Sequence, residues 1–325
     1  MSVAELTWLP GLINRLDKKS VREAYGNAIV SVGEDKRVVV LDADLSTSTH
    51  TSMFQKKYPD RFFNVGISEN NMIGVASGLS WTGKKVFASS FAVFATGRAY
   101  DLIRQSICYA NSDVRIVASH AGLTVGEDGA THQMLEDIGL MSGLPNMKVI
   151  VPADATETEQ VVRYIYENRG PFYVRISREK VPVVEGLPEF RFGKAQTLVD
   201  GEDVSILATG ILVSAAQIAA SYLKSRGISA RVLNVSTIKP IDRDAIVKAA
   251  VETGRIVTAE EHSIYNGLGS RVCEILAEEY PARVERVGME DVFGESGKSW
   301  ELMDKYGLNP LGIVNKVEKL MKVRS

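Results

Sequence analysis

Val38–Asp44 reads VVVLDAD and runs on into LSTST (45–49). Three valines and a leucine in unbroken succession suit a strand buried on both faces, as in a parallel sheet. Outward from it the same grammar repeats. Phe62–Gly66, Lys85–Phe91, Val114–His120, Lys148–Pro152 and Phe172–Ser177 are further strand candidates, with helix-like stretches such as Asn70–Thr82 and Phe94–Ala110 between them. Strands alternating with helices predict an α/β domain built on a mostly parallel sheet. The run Lys180–Phe192 (KVPVVEGLPEFRF) carries two prolines, a glycine and scattered charge, and reads as a linker or boundary. Beyond it the alternation restarts. Val204–Thr209, Ala230–Val235, Arg255–Ala259 and Val284–Val287 look like strands, and Val213–Ser225, Asp242–Glu252 and Gly267–Glu279 like helices. The expected organisation is a domain over 1–185 followed by a smaller α/β domain over 186–325.

The chain has 325 residues, 45% hydrophobic and 24% charged, enough apolar material for two globular cores. Its net charge is −2 with no basic stripe, so nucleic acid is not the expected partner. The two cysteines, Cys108 and Cys273, form no CxxC or Cys/His cluster, which argues against a disulfide framework or a zinc site and predicts buried, reduced thiols. The N-terminus has no signal-peptide pattern and no segment reaches the roughly 20 apolar residues of a membrane span. A cytoplasmic protein is expected.

In open parallel sheets ligands bind beyond the carboxyl ends of the strands. The residues there are Asp42, Asp44 and Ser48 after the first strand; Ser68 and Glu69 after the second; His120, Glu127, Asp128 and His132 after the fourth; Ser177 and Arg178 after the sixth. His120 and His132, two of four histidines, frame the loop HAGLTVGEDGATH. Its glycines Gly122, Gly126 and Gly129 would let the backbone turn sharply and approach a ligand. Each feature also has a plain structural reading. The loop could be a surface turn. Ser68 and Glu69 could cap a helix. Phe91 and Phe94 could be core rather than the wall of a ring-binding pocket. No spacing of the zinc type appears.

Taken together, VLDADLSTST around Asp44, FFNVGISENNMIGVASGL around Glu69, SHAGLTVGEDGATHQ (119–133), PNMKVIVPADATE (145–157) and YVRISREKVP around Arg178 resemble the transketolase family, in order and at compatible spacing. TAEEHSIYNGLG around His262 is the best marker of that family's C-terminal domain. The resemblance implies a thiamine diphosphate pyrimidine-binding domain followed by a transketolase-type C-terminal domain. The family's diphosphate-binding domain, with its GDG motif and later asparagine holding a divalent metal, has no counterpart in these residues. A partner chain is therefore expected to supply that domain and the ligands of a magnesium ion, in a two-plus-two assembly acting on sugar phosphates; no metal ligand is expected on this chain.

Residue by residue, the resemblance makes Glu69 the glutamate that hydrogen-bonds a pyrimidine ring nitrogen of the cofactor, and Phe91 and Phe94 the aromatic wall. Where the family often has a third aromatic, this chain has Gly97. Asp44 matches an acidic position near the cofactor. Arg22, Ser48, His120 and Arg178 match phosphate-holding positions, Asp128 one that reads a substrate hydroxyl, and His132 one near the donor carbonyl. His262 is expected to serve structure or an interface. Alternatives are a deoxyxylulose phosphate synthase-like or 2-oxoacid dehydrogenase beta-like subunit, or a non-catalytic subunit of the same fold. The GEDGATHQ loop with its leading His120 favours ketol transfer between sugar phosphates, as in the pentose phosphate pathway.

Overall fold

The computed structural model describes residues 3–322. Within them lie strands β1 (Lys18–Ser20), β2 (Val38–Asp42), β3 (Phe62–Asn64), β4 (Lys85–Ser89), β5 (Val114–Ala118), β6 (Lys148–Ile150), β7 (Phe172–Arg175), β8 (Lys180–Pro182), β9 (Gln196–Val199), β10 (Val204–Ala208), β11 (Ala230–Asn234), β12 (Thr237–Lys239), β13 (Arg255–Ser263) and β14 (Arg283–Met289). The large sheet has the order β12-β6-β7-β5-β4-β2-β3. Every neighbouring pair in it is parallel except β12 with β6. The second sheet runs β14-β13-β10-β11-β9, parallel but for its edge strand β9. All residues of β2, β5, β7 and β10 are buried, as their continuous apolar runs demand.

The helices follow from local signals. Val21–Val32 starts where the Ser20 side chain accepts the Glu23 N–H, and Ala155–Glu167 where Asp154 accepts the Glu157 N–H. These two helices pack together against the large sheet. Glu69–Trp81 follows β3. Because β3 lies on one side of β2 and β4 on the other, the chain reverses its travel across the sheet there. In open α/β sheets such a reversal, here at the carboxyl ends of β2 and β4, is where ligands bind.

Four features depart from the sequence expectations. The helix expected over Phe94–Ala110 is two wide π-type segments, Val93–Arg98 and Ile103–Tyr109, on either side of a short α turn. Such widened turns re-aim side chains and are frequent at functional sites. The run Lys180–Phe192 is a packed strap. Its first residues form β8, paired antiparallel with β1, Val181, Val184 and Phe190 are buried, and Phe192 stacks on Tyr164 at 4.9 Å. β12, from the later half, crosses over to pair with β6 of the first sheet. β13 continues past Ala259 to Ser263, so Glu260, Glu261 and His262 all lie buried on a strand.

The halves are also tied through Glu157, which accepts hydrogen bonds from the Ala153 N–H (2.6 Å), Asn234 (2.9 Å) and Ser236 (2.5 Å). Both cysteines are free, but only Cys108 is buried, and Cys273 is half-buried. No helix of the described residues is long and apolar enough to cross a membrane.

Candidate active site

Glu69 opens its helix beyond this strand edge and is only 1% exposed. The Ser68 side chain makes no cap hydrogen bond, although Glu69 does stand in the first turn, where an acid suits the helix dipole. One carboxylate oxygen is held by Arg98 at 2.8 Å; among the described residues, the other has a hydrogen bond only with the Ser90 hydroxyl, at 3.4 Å. Phe91 and Phe94 lie with near-parallel rings, centroids 6.1 Å apart and 12° between planes. The register of the strand ends sets this. Phe91 bridges Ser119, with Ala92 N–H donating to the Ser119 carbonyl at 2.8 Å, so the residue after β4 is locked beside the residue after β5. His120 therefore stacks on Phe91 at 3.7 Å, and His132 meets the edge of Phe94 at 5.4 Å. Beside Gly97, the Arg98 guanidinium lies 4.7 Å over Phe94.

A second cluster adjoins the first. Arg22 donates to the Ser48 carbonyl (2.7 Å) and to the Arg178 carbonyl (3.1 Å). The helix after β1 thus draws the loop after β2 and the loop after β7 together. Arg178 in turn donates to the Val125 carbonyl of the glycine loop. Burial, then the charges of Arg22 and Arg178, pull the His120 ring down to about 3. It is therefore a neutral imidazole beside two cations, and would offer a phosphate a hydrogen bond, not charge. Asp44, His50 and His120 all take left-handed backbone conformations, with φ of 66°, 66° and 57°. Such strain in non-glycine residues gathers at functional sites.

The structure brings Glu69, Phe91, Phe94, His120, His132, Arg22, Ser48 and Arg178 into two contiguous clusters. It does not join Asp44 or Asp128 to them by side-chain contact. Asp44 is exposed and accepts from Asn64 at 2.9 Å, and Asp128 stands exposed at the end of the turn Leu123–Asp128. The sequence reading missed Arg98 and His50. Arg98 follows Phe94 at the four-residue spacing that places side chains on one helix face. His50 faces Arg22 and His120, and burial together with Arg22 lowers its ring below the ordinary value.

The loop glycines also differ from expectation. Gly122, Gly126 and Gly129 have φ of 84°, 77° and 74°, but a side chain there would strike Glu261, Ser299 and Ser296. Their close approach is to the later half of the chain.

The state of His120 has a measurable sign. Folding favours its neutral form, so its stabilising contribution is full above pH 6.5 and is lost as pH falls toward 3. Between pH 7 and 5 the loss is about 2 kcal/mol. Denaturant melts of wild type and His120→Gln at pH 7 and 5 should show wild type losing that much more. Parallel losses in the two proteins would refute a ring held neutral.

Comparison with known proteins gives this geometry a lineage. Residues 17–184 match "Transketolase, pyrimidine binding domain", and residues 193–313 match "Transketolase, C-terminal domain". The chain is 48% identical to a putative transketolase C-terminal section of Methanocaldococcus jannaschii over 94% of this chain and 97% of that one. It is 38% identical to one of the subunits of an apulose-4-phosphate transketolase from Phocaeicola vulgatus, over 93% of this chain and 97% of that one. A solved structure described as a split gene transketolase, inactive beta4 tetramer, superposes with a TM-score of 0.88 at 50% identity, over 94% of this chain and 99% of that one. This chain belongs to the transketolase family and carries its pyrimidine-binding and C-terminal domains.

Proposed function

We propose that the chain is the cofactor-activating and substrate-holding subunit of a two-chain transketolase. It transfers a two-carbon ketol unit from a ketose phosphate to an aldose phosphate, using thiamine diphosphate, and works only with a partner that supplies the diphosphate-binding domain and the ligands for magnesium. A two-plus-two assembly and a domain boundary near residue 185 complete the reading. The observation that carries it is the buried Glu69 carboxylate beside the paired rings of Phe91 and Phe94, with the Arg22, His120 and Arg178 cluster next to it.

The donor set fits a pyrimidine ring. Two near-parallel aromatic faces supply apolar walls, and Glu69 keeps one oxygen, held by no more than a 3.4 Å hydrogen bond from Ser90 among the described residues, for a ring nitrogen. When bound, thiamine diphosphate supplies the carbon that attacks the donor and the sink for the electron pair of the cleaved bond. This chain's part is to hold and orient. Glu69 shares a proton with the ring nitrogen, Phe91 and Phe94 exclude water, and Arg22 and Arg178 present guanidinium groups to a phosphate dianion. Asp128 and His132, on the loop beside the cluster, are assigned to the sugar hydroxyl and donor carbonyl. In this reading the metal belongs to the partner.

The test is transfer from xylulose 5-phosphate to ribose 5-phosphate with thiamine diphosphate and magnesium, by the chain alone and with a diphosphate-domain chain. Turnover only in the mixture supports the proposal. Turnover by the chain alone would overturn its partner requirement. A stable, cofactor-binding complex inert toward both sugars would overturn its substrate assignment.

A further inference from the structure

The loop that frames His120 and His132 is not shaped by its own half of the chain alone. Its Thr124 N–H donates to Glu261 on β13 at 2.6 Å, and the Thr124 carbonyl lies 2.9 Å from the hydroxyl of Ser299. That hydroxyl is equally 2.9 Å from Glu179, the neighbour of Arg178. Having one hydrogen, it donates to one of these oxygens at a time, and so links the loop to the Arg178 segment. Gln133 closes the far end, donating to the Glu295 carbonyl at 2.9 Å while spanning toward the Leu123 and Gly126 carbonyls. Gly122, Gly126 and Gly129 are each pressed within 3.0 Å, measured from where a Cβ would stand, by Glu261, Ser299 and Ser296 in turn.

The clamp is itself anchored. Ser299 begins the helix Ser299–Lys305, whose Asp304 accepts the N–H groups of Trp8 and Leu9 at 2.8 and 2.9 Å, and whose Trp300 packs edge-on to Trp8 at 5.1 Å. Glu261 sits against Arg175, which donates to its carbonyl at 2.7 Å and to Asp137.

We propose that the C-terminal half sets the shape of the substrate loop, with Glu261 and Ser299 as positioning residues for Asp128, His132 and Arg178. This deepens the functional reading above and rests on the loop's being where sugar phosphate binds. It gives the C-terminal half a share in substrate recognition without contact with the cofactor.

Ser299→Ala and Glu261→Gln in the assembled complex test it by two routes. In Ser299→Ala the KM for xylulose 5-phosphate should rise about tenfold, the worth of one lost hydrogen bond, with kcat and thiamine diphosphate affinity within about twofold of wild type. Hydrogen–deuterium exchange of the chain should show peptides within 121–133 exchanging about tenfold faster, with the large sheet unchanged. Glu261→Gln, which keeps the shape and removes the charge, should move both in the same direction, and it carries the test should Ser299→Ala fail to fold. Faster loop exchange at unchanged KM would reduce the clamp to a structural role and overturn the proposal, as would unchanged exchange. If the wild-type complex does not turn over sugar phosphates, the functional reading fails, and exchange alone then decides whether the C-terminal half shapes the loop.

Discussion

Glu69→Gln should lower kcat of the assembled complex by roughly 10²–10⁴-fold, the usual worth of a positioned acid–base group. The substitution keeps the size of a side chain that is 1% exposed, so the fold should survive. What it removes is the ability to share a proton with a ring nitrogen. It also removes the charge that Arg98 holds at 2.8 Å. Arg98 is half exposed and can turn to solvent, so the loss should appear in turnover far more than in stability. Steady-state assay beside a thermal melt separates the two. A Glu69→Gln complex within threefold of wild-type kcat would remove Glu69 from the chemistry.

Arg178→Ala should raise the KM for sugar phosphate by about 10–100-fold, since a hydrogen bond to a charged group is worth about 1.5–3 kcal/mol. The effect is expected mainly in KM, because a phosphate remote from the reacting carbon is held alike in ground and transition states. Arg178→Lys should restore only part of the affinity, since an ammonium cannot reproduce the two-pronged guanidinium contact or also hold the Val125 carbonyl. Initial-rate kinetics against donor concentration, with inorganic phosphate as competitor, reads this directly. A KM within twofold of wild type for Arg178→Ala would place the phosphate elsewhere.

Much of this site is legible in the sequence for a simple reason. In a parallel sheet the residues after each strand must meet at one edge, so finding the buried runs such as Val38–Asp42 also finds Glu69, His120 and Arg178. What escaped depends on contacts between distant segments. Arg98 meets Glu69 from the widened segment Val93–Arg98; its spacing from Phe94 hints at a shared face, but nothing in FAVFATGRAY announces turns that depart from 3.6 residues. Thr237–Lys239 has no strand signal strong enough to assign it to the other half's sheet, because a three-residue edge strand is defined by the partner it covers. By sequence alone the loop glycines promise room for a ligand. Their positive φ is a local property, but Glu261, Ser299 and Ser296, which actually fill the space, lie more than 130 residues away.

The crossing of β12 bears on how such an enzyme can be divided among genes. A cut between the two halves would strip β6 of its cover, leaving a row of unpaired backbone groups open to any passing strand. It would also strand Glu157 without Asn234 and Ser236. The two halves are therefore one physical unit, and separating them should yield fragments prone to aggregate.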